Sequence, residues 1–423
     1  MLVDLAYGTT GLAVDLPEER TRVVAPLHQL AAPDPFAEVR RALRMPVAGP
    51  PLRDRVRRGQ RVAIAICDGT RAQPRHIVIP VVLEELADVL DLDDVTVLVA
   101  TGTHRGNTPA ELEAMLGRSV LEAVRVVNHD ARDRSSLVDL GRFGDDVPVL
   151  LNREWVEADV RITTGFVEPH FFAGFSGGPK LVAPGLAGLD TTLVLHDARR
   201  IGDPRSTWGI TIGNPIHDDV RAIAAGTGVD FACDVLLNAE QAIVAAFGGD
   251  LEPMHAAACA GSRAAAMRPV PHRFGVVVAT NAGFPLDQNL YQTAKAMSAA
   301  AGVVAPGGLI IVAAECRDGF PDHGSYRELL TSAESPAQLL DEIFARSTTL
   351  PDQWQIQIQA QVQAGARVAM HADGLSDAEL TSAHLQPVDD IAARVRAELD
   401  QLGPDAMCCV LPEGPQTIPY LPE

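Results

Sequence analysis

The chain has 423 residues, 47% of them apolar, and a formal charge of −20. That length exceeds what one hydrophobic core ordinarily supports, so two domains are expected. The acidic balance excludes a nucleic-acid binder or a protein seated on anionic lipid, both of which need surfaces rich in Lys and Arg.

No apolar run approaches the roughly 18–20 residues of a transmembrane helix. The opening MLVDLAYGTTGLAVDLPEER lacks the basic-then-apolar order of a signal peptide. Cys67, Cys233, Cys259, Cys316, Cys408 and Cys409 form no C-x-x-C pair and read as buried, reduced thiols. A cytoplasmic location is expected.

Along the chain, short β-branched runs alternate with helical patterns. VAIAI (62–66), VTVLV (95–99), a weaker run at 124–127 and VRITT (160–164) read as strands buried on both faces. Helices are expected at 81–89 and 109–116; for the second, Thr108 is the N-cap, Pro109 the first helical residue and Glu111 the closing member of a capping box. The Ala-rich stretch 254–267, with Pro269 and Pro271 behind it, reads as a connecting helix and then a boundary. A second strand series follows: FGVVVA (274–279), LIIVA (309–313), 366–370 and MCCVL (407–411). Capping boxes at 335–338 and 376–379 separate its members. The pattern predicts two α/β domains, 1–268 and 269–423, with mostly parallel sheets joined by right-handed crossovers.

Ligands of open α/β sheets bind beyond the carboxyl ends of the strands. Three consecutive strand ends carry Cys67-Asp68-Gly69-Thr70-Arg71, then Thr101-Gly102-Thr103-His104-Arg105, then the segment 165–180 with His170 and Lys180. One loop histidine would mean little; a carboxylate, two cations and two imidazoles on one edge of a sheet describe a site. The glycine-rich run 174–180 is similar to a phosphate loop but departs from it. Pro179 precedes Lys180, and Leu181 stands where a Mg²⁺-holding Ser or Thr would be. A phosphate bound without magnesium and a tight structural turn both remain open, and no G-x-G-x-x-G is present. His196 follows sixteen residues after Lys180. In the second domain a polar elbow, GFPLDQNLYQ (283–292), enters a helix on which Tyr291 and Lys295 share a face. Lys295 is either functional or a surface partner of a carboxylate such as Asp287. Trp354, in PDQW (351–354), suits core packing or a pocket wall equally.

The segments DGTR (68–71), ATGTHRG (100–106), EPHFFAGFSGGPK (168–180), VLH (194–196), DQNLYQTAK (287–295) and PDQW (351–354) resemble, in the same order, the signature segments of the nickel-pincer lactate racemase family. The resemblance implies a racemase or epimerase of 2-hydroxy acids with its active site in the cleft between two α/β domains. It implies a nickel-pincer nucleotide, a pyridinium-3,5-bisthiocarboxylic acid mononucleotide, linked covalently to Lys180, with His196 completing the nickel coordination. It further implies His104 and His170 as the acid–base pair. Asp68, Thr70, Gly177 and Gly178 are expected near the cofactor, and Arg71, Tyr291, Gln292, Lys295 and Trp354 near the substrate. Separate maturation enzymes are implied, since no motif here suggests cofactor synthesis. One local departure stands out: Ala72-Gln73 follows Arg71 where the family pattern has Pro, which bears on the pocket wall and on which hydroxy acid fits. A metal-dependent lyase or dehydratase on a hydroxy acid, and a non-catalytic nickel- or carboxylate-binding homologue, are the alternatives.

Overall fold

The computed structural model of the protein describes residues 1–321 and 324–422. The chain divides into two compact units, one made of His28–His196 and Pro204–Arg263, the other of Met1–Leu27, Asp197–Asp203 and Ala264–Glu423.

The first unit is built on a six-stranded sheet. Its strands are β1 (Val62–Cys67), β2 (Val95–Ala100), β3 (Arg125–Asn128), β4 (Val160–Phe166), β5 (Phe231–Leu237) and β6 (Ile243–Gly249), in the spatial order β6-β5-β4-β1-β2-β3. All neighbours run parallel except the β5–β6 pair. Every residue of β1 is buried, as a strand covered by helices on both faces must be. Helices α1 (Arg75–Ala87) and α2 (Pro109–Leu116) follow β1 and β2. The expected capping box closes α2: the Thr108 side chain accepts from the Glu111 amide, and Glu111 reaches back to the amide of Thr108. The first helix begins six residues before the expected 81, because Arg75 to Pro80 bury an apolar turn that the pattern alone did not mark. Helices α3 (Leu189–Leu195), α4 (Pro215–Thr227) and α5 (Leu251–Ala266) complete the elements around the site. After β3 the chain crosses to the other side of β1 to form β4. The topological switch point of the sheet therefore lies between β1 and β4.

The second unit repeats that logic with β7 (Phe274–Thr280), helix α6 (Leu290–Ala301), β8 (Val304–Ala313), helix α7 (Gln353–Gly365), β9 (Arg367–His371) and β10 (Cys408–Leu411). Its sheet is wholly parallel, with the short strand Gln386–Pro387 beside β9 and Thr21–Val23 beside β10. Ser376 and Glu379 form the expected capping box. Ser335 caps its helix, but Gln338 Oε1 accepts from Glu334 instead of completing a box.

The sequence assigns residues 1–268 to one domain. The structure corrects this, grouping Met1–Leu27 with the C-terminal unit. Thr21–Val23 extends that unit's sheet by pairing with β10, and Val3, Leu5, Val14 and Leu16 enter the core formed by Val276, Val278, Leu309 and Ile311. Short alternating strands such as Leu2–Leu5 carry no mark of which sheet they join.

Leu16 is 1% exposed in that core. Leu16→Ala is expected to cost about 2–5 kcal/mol, read as a lower urea midpoint for the C-terminal unit. A loss under about 1 kcal/mol, the range of surface changes, would show that the N-terminal strands contribute little to it.

Candidate active site

At the carboxyl end of β1 the chain turns sharply, and Asp68 is left almost wholly buried. Its Oδ1 accepts from the Thr70 hydroxyl at 2.8 Å, and the Thr70 oxygen accepts in turn from Arg71 Nη1 at 3.2 Å. Its Oδ2 lies 2.8 Å from Nδ1 of His104, at the end of β2. Arg71, Thr70, Asp68 and His104 thus form one hydrogen-bonded chain. Burial pushes the Asp68 carboxyl up, but the bond to His104, that ring's charge, Arg71 and Thr70 together hold it below the ordinary carboxylate range. An ionised Asp68 accepts only, so His104 carries its hydrogen on Nδ1 and presents Nε2 as a bare nitrogen. The His104 side chain is 46% exposed.

Gln73, which follows the departure from the family pattern at Ala72, is buried at the switch point. Its Oε1 accepts from the Cys67 amide at 2.8 Å, and its Nε2 donates to Thr164 Oγ1 on β4 at 3.0 Å. It ties the ends of β1 and β4 together.

At the end of β4 a two-residue hairpin pairs Pro169–His170 with Gly174–Phe175. Nδ1 of His170 accepts from the amides of Phe172 and Ala173, at 3.5 and 3.3 Å. That places the hydrogen of the neutral ring on Nε2, the opposite tautomer to His104. Phe172 is the meeting point of three expected residues. Its ring centroid lies 4.4 Å from that of His170 and 5.3 Å from that of His196, both edge-on, with Lys180 Nζ 5.6 Å away over its face. His196 caps the C-terminus of α3, where Nδ1 donates to the Thr192 carbonyl at 2.7 Å. The backbone joins the two strand ends: the Gly102 amide donates to Gly185, and the Gly185 amide donates to the carbonyl of Lys180.

Gly177 and Gly178 turn towards the protein interior. A Cβ on Gly177 would lie 2.7 Å from Asp234 Oδ2, and one on Gly178 would lie 2.5 Å from the His255 ring. The Gly178 amide donates to Asp234 Oδ2 at 2.6 Å. These contacts are those of a tight structural turn.

Around that turn stand residues the sequence did not single out: Asn214 and His217 on α4, Asp234 on β5 and His255 on α5, all buried. The rings of His217 and His255 stack with centroids 5.4 Å apart. Burial lowers His217 to about 3 and His255 to about 4, and the positive charges of Lys180 and Arg221 act in the same direction. Burial raises Asp234 to about 7, against the backbone bonds from Gly178 and Gly165. Only the Asn214-Pro215 helix start was a readable signal; polar residues inside helices and strands otherwise look like surface.

In the second unit, Tyr291, Gln292 and Lys295 lie in the first turns of α6 and Trp354 in the first turn of α7, all half-buried. Gln355 Nε2 donates to the Tyr291 carbonyl at 2.5 Å, joining the two helices, and the Tyr291 ring packs 5.2 Å from that of Tyr326. Asp287, the surface carboxylate the sequence offered as a partner for Lys295, is instead fully buried. It accepts from the amides of Gly8 and Glu315.

Comparison with known proteins gives one answer along the whole chain. The family described as the lactate racemase N-terminal domain matches residues 7–209, and that described as the lactate racemase C-terminal domain matches residues 271–418. The lactate racemase of Thermoanaerobacterium thermosaccharolyticum is 33% identical over 422 residues, covering 98% of each chain. That of Lactiplantibacillus plantarum is 32% identical over 378 residues, 89% of each. The solved apoprotein of the Thermoanaerobacterium enzyme superposes with a TM-score of 0.92 at 31% identity, covering 99% of this chain and all of that one. A Thermotoga maritima protein shares the fold at a TM-score of 0.65 and 18% identity, covering 93% of this chain and all of that one.

The buried ionisable groups predict how stability follows pH. From pH 6.5 down to about 4, His217 and His255 take up two protons on unfolding, while Asp234, whose ordinary pKa is 3.8, releases one. Two less one leaves a net uptake of one proton, and His129 and His384, also depressed by burial, add to the same sign. Unfolding free energy should therefore fall by roughly 1 kcal/mol per pH unit as pH drops from about 6 to 4.5. Urea titrations at several pH values between 6.5 and 4.5 test this; stability that is flat or rises towards acid would refute the burial assignments.

Proposed function

The chain belongs to the lactate racemase family, and from that premise we propose that it is an isomerase interconverting the enantiomers of a small 2-hydroxy acid. The observation carrying this reading is a pair of histidines at strand ends of one sheet, each held through Nδ1. Asp68 Oδ2 lies 2.8 Å from Nδ1 of His104, and the amides of Phe172 and Ala173 meet Nδ1 of His170. A dehydrogenase needs one proton-transferring group; a racemase needs one for each mirror image.

The α C–H of a 2-hydroxy acid is too weakly acidic for imidazole to remove as a proton. Moving it as hydride leaves only the hydroxyl proton for side chains to handle. When bound, the nickel-pincer nucleotide supplies the reversible hydride acceptor that ordinary side chains lack. Lys180 and His196 fit that group: both lie against the Phe172 ring, and Nδ1 of His196 is oriented by the Thr192 carbonyl, as the second nitrogen of a metal-binding histidine commonly is. Among the described residues no cluster of three metal-binding side chains exists, which suits a metal whose other donors arrive on an organic ligand.

We assign the two proton transfers to His104 and His170: the neutral ring takes the hydroxyl proton and becomes imidazolium, and the ring that is imidazolium returns a proton to the oxygen and becomes neutral. Exchange with solvent through the half-exposed His104 restores the balance, and the reverse reaction exchanges the roles. Arg71 supplies a cation for the substrate carboxylate, in a chain whose net charge would otherwise repel it, and the family resemblance assigns Tyr291, Gln292, Lys295 and Trp354 to the substrate as well. Separate maturation enzymes supply the cofactor, and the cytoplasm is the expected setting.

Protein matured with cofactor-synthesis enzymes should resist trypsin between Lys180 and Leu181 and yield a peptide heavier than its sequence. It should also hold nickel that His196→Ala loses. A clean cut and an unmodified Lys180 would remove the covalent tether.

With lactate as the probe, His104→Ala and His170→Ala should each lose about 10²–10⁴-fold in turnover while retaining nickel. Asp68→Asn should fall in the same range, because an amide donating to Nδ1 moves the hydrogen of His104 to Nε2 and removes the base. Full activity of Asp68→Asn would show that the tautomer of His104 does not matter.

A further inference from the structure

The backbone before Lys180 is held by side chains from three other elements. Asn214 Nδ2 donates to the Phe172 carbonyl at 2.9 Å, His217 Nδ1 to the Ala173 carbonyl at 3.0 Å and His255 Nε2 to the Ser176 carbonyl at 2.9 Å. Asp234 Oδ2 accepts from the Gly178 amide at 2.6 Å. Each of these side chains is at most 5% exposed. Asn214 also caps α4 through its Oδ1, and His217 and His255 stack on each other inside the unit.

We propose that Asn214, His217, Asp234 and His255 form a positioning clamp that fixes the course of residues 172–178 and thereby sets where Phe172 and Lys180 present themselves. This inference rests on the reading of Lys180 as the cofactor tether. The glycines at 177 and 178 belong to the clamp. They are small because Asp234 and His255 occupy the space their side chains would fill, and the Gly178 amide is engaged by Asp234. Glycine at these two positions serves close approach to the clamp, and anion binding at the turn is not required to explain it.

The geometry also explains why the clamp residues carry the polar groups they do. A loop with an irregular path satisfies only some of its own carbonyls, as Phe175 does for Ala173 and Lys180 for Gly177, and each one buried without a donor costs about 1–3 kcal/mol. Neutral imidazole and amide donors meet that demand at single atoms. A loop held this way has little freedom, so a shift of the tether by an ångström is an expected consequence of losing one donor.

The test compares wild type with His255→Met, which keeps the volume and removes the donor, and with Asp234→Ala. The controls His255→Gln and Asp234→Asn keep a donor or an acceptor in place. All are matured with the cofactor-synthesis enzymes. Three quantities are read: the fraction of Lys180 peptide carrying added mass, kcat and KM for lactate, and amide exchange over residues 172–180 in the unloaded protein. The clamp predicts reduced loading in His255→Met and Asp234→Ala. It predicts a kcat per loaded chain lower by roughly 10²-fold, the cost of misplacement by about 1 Å, with KM little changed. Both losses should be largely rescued in the two conservative variants. Wild-type loading and kcat in both disruptive variants would overturn the clamp. If wild type itself carries no mass on Lys180, the tether reading fails separately. Amide exchange then decides: faster exchange at 172–180 in His255→Met, with the rest of the protein unchanged, upholds the clamp, and unchanged exchange there overturns it.

Discussion

A buried loop must find a partner for every backbone amide and carbonyl, and the segment from Phe172 to Lys180 meets that demand largely from outside itself. His170 takes the amides of Phe172 and Ala173, Asn214, His217 and His255 take carbonyls, and Asp234 takes the Gly178 amide. The Lys180 amide closes back on Gly177, and its carbonyl accepts from Gly185. Everything the unit can do chemically depends on this accounting, because the same nine residues carry Phe172 and Lys180. Release of one partner would not merely loosen a loop; it would move the ring against which His170, His196 and Lys180 are all set.

The histidines show how the same residue acquires different chemistry from its acceptors. Asp68, His170's neighbouring amides and the Thr192 carbonyl each fix one nitrogen of one ring. None of these choices belongs to the imidazole itself, whose two nitrogens are equivalent candidates until the second partner is known. Asp68 is itself set by Thr70, and Thr70 is approached by Arg71, so Arg71 and His104 belong to one hydrogen-bonded chain.

Much of this was legible in the residues. The β-branched runs at 62, 95, 160 and 274 became strands within a residue or two, since a strand buried on both faces can hold little else. The capping boxes at Thr108 and Ser376 formed because a hydroxyl three residues before a glutamate satisfies two amides locally. The strand ends brought His170, His196 and Lys180 onto one ring, and Asp68 onto His104. What the sequence concealed depends on distant partners. Thr21–Val23 joins a sheet whose neighbouring strand lies near residue 408. His217, Asp234 and His255 sit in helical or strand patterns where a polar residue reads as solvent-facing, and only the path of a loop far away in sequence makes them interior. Gln73 was visible beside the departure at Ala72 but not as a bond, because its partner Thr164 comes from a strand 91 residues later.

The choice of donors around Lys180 follows from charge. An arginine or lysine could satisfy the carbonyls of Ala173 and Ser176 as well as histidine does, and a charged donor forms a stronger hydrogen bond. It would also set a permanent positive charge in a desolvated space beside Lys180, where like charges repel far more strongly than in water. His217 and His255, held by burial to about 3 and about 4, give an N–H without that charge throughout the range in which the protein works. Stacking the two rings is tolerable for the same reason, since two imidazolium ions at 5.4 Å would not remain together. Asp234 is the group of opposite tendency. At about 7 it is poised between its charged and neutral forms, and either form keeps an oxygen for the Gly178 amide. The loop is thus held by neutral imidazole donors and by a carboxyl group that keeps an acceptor oxygen in either protonation state.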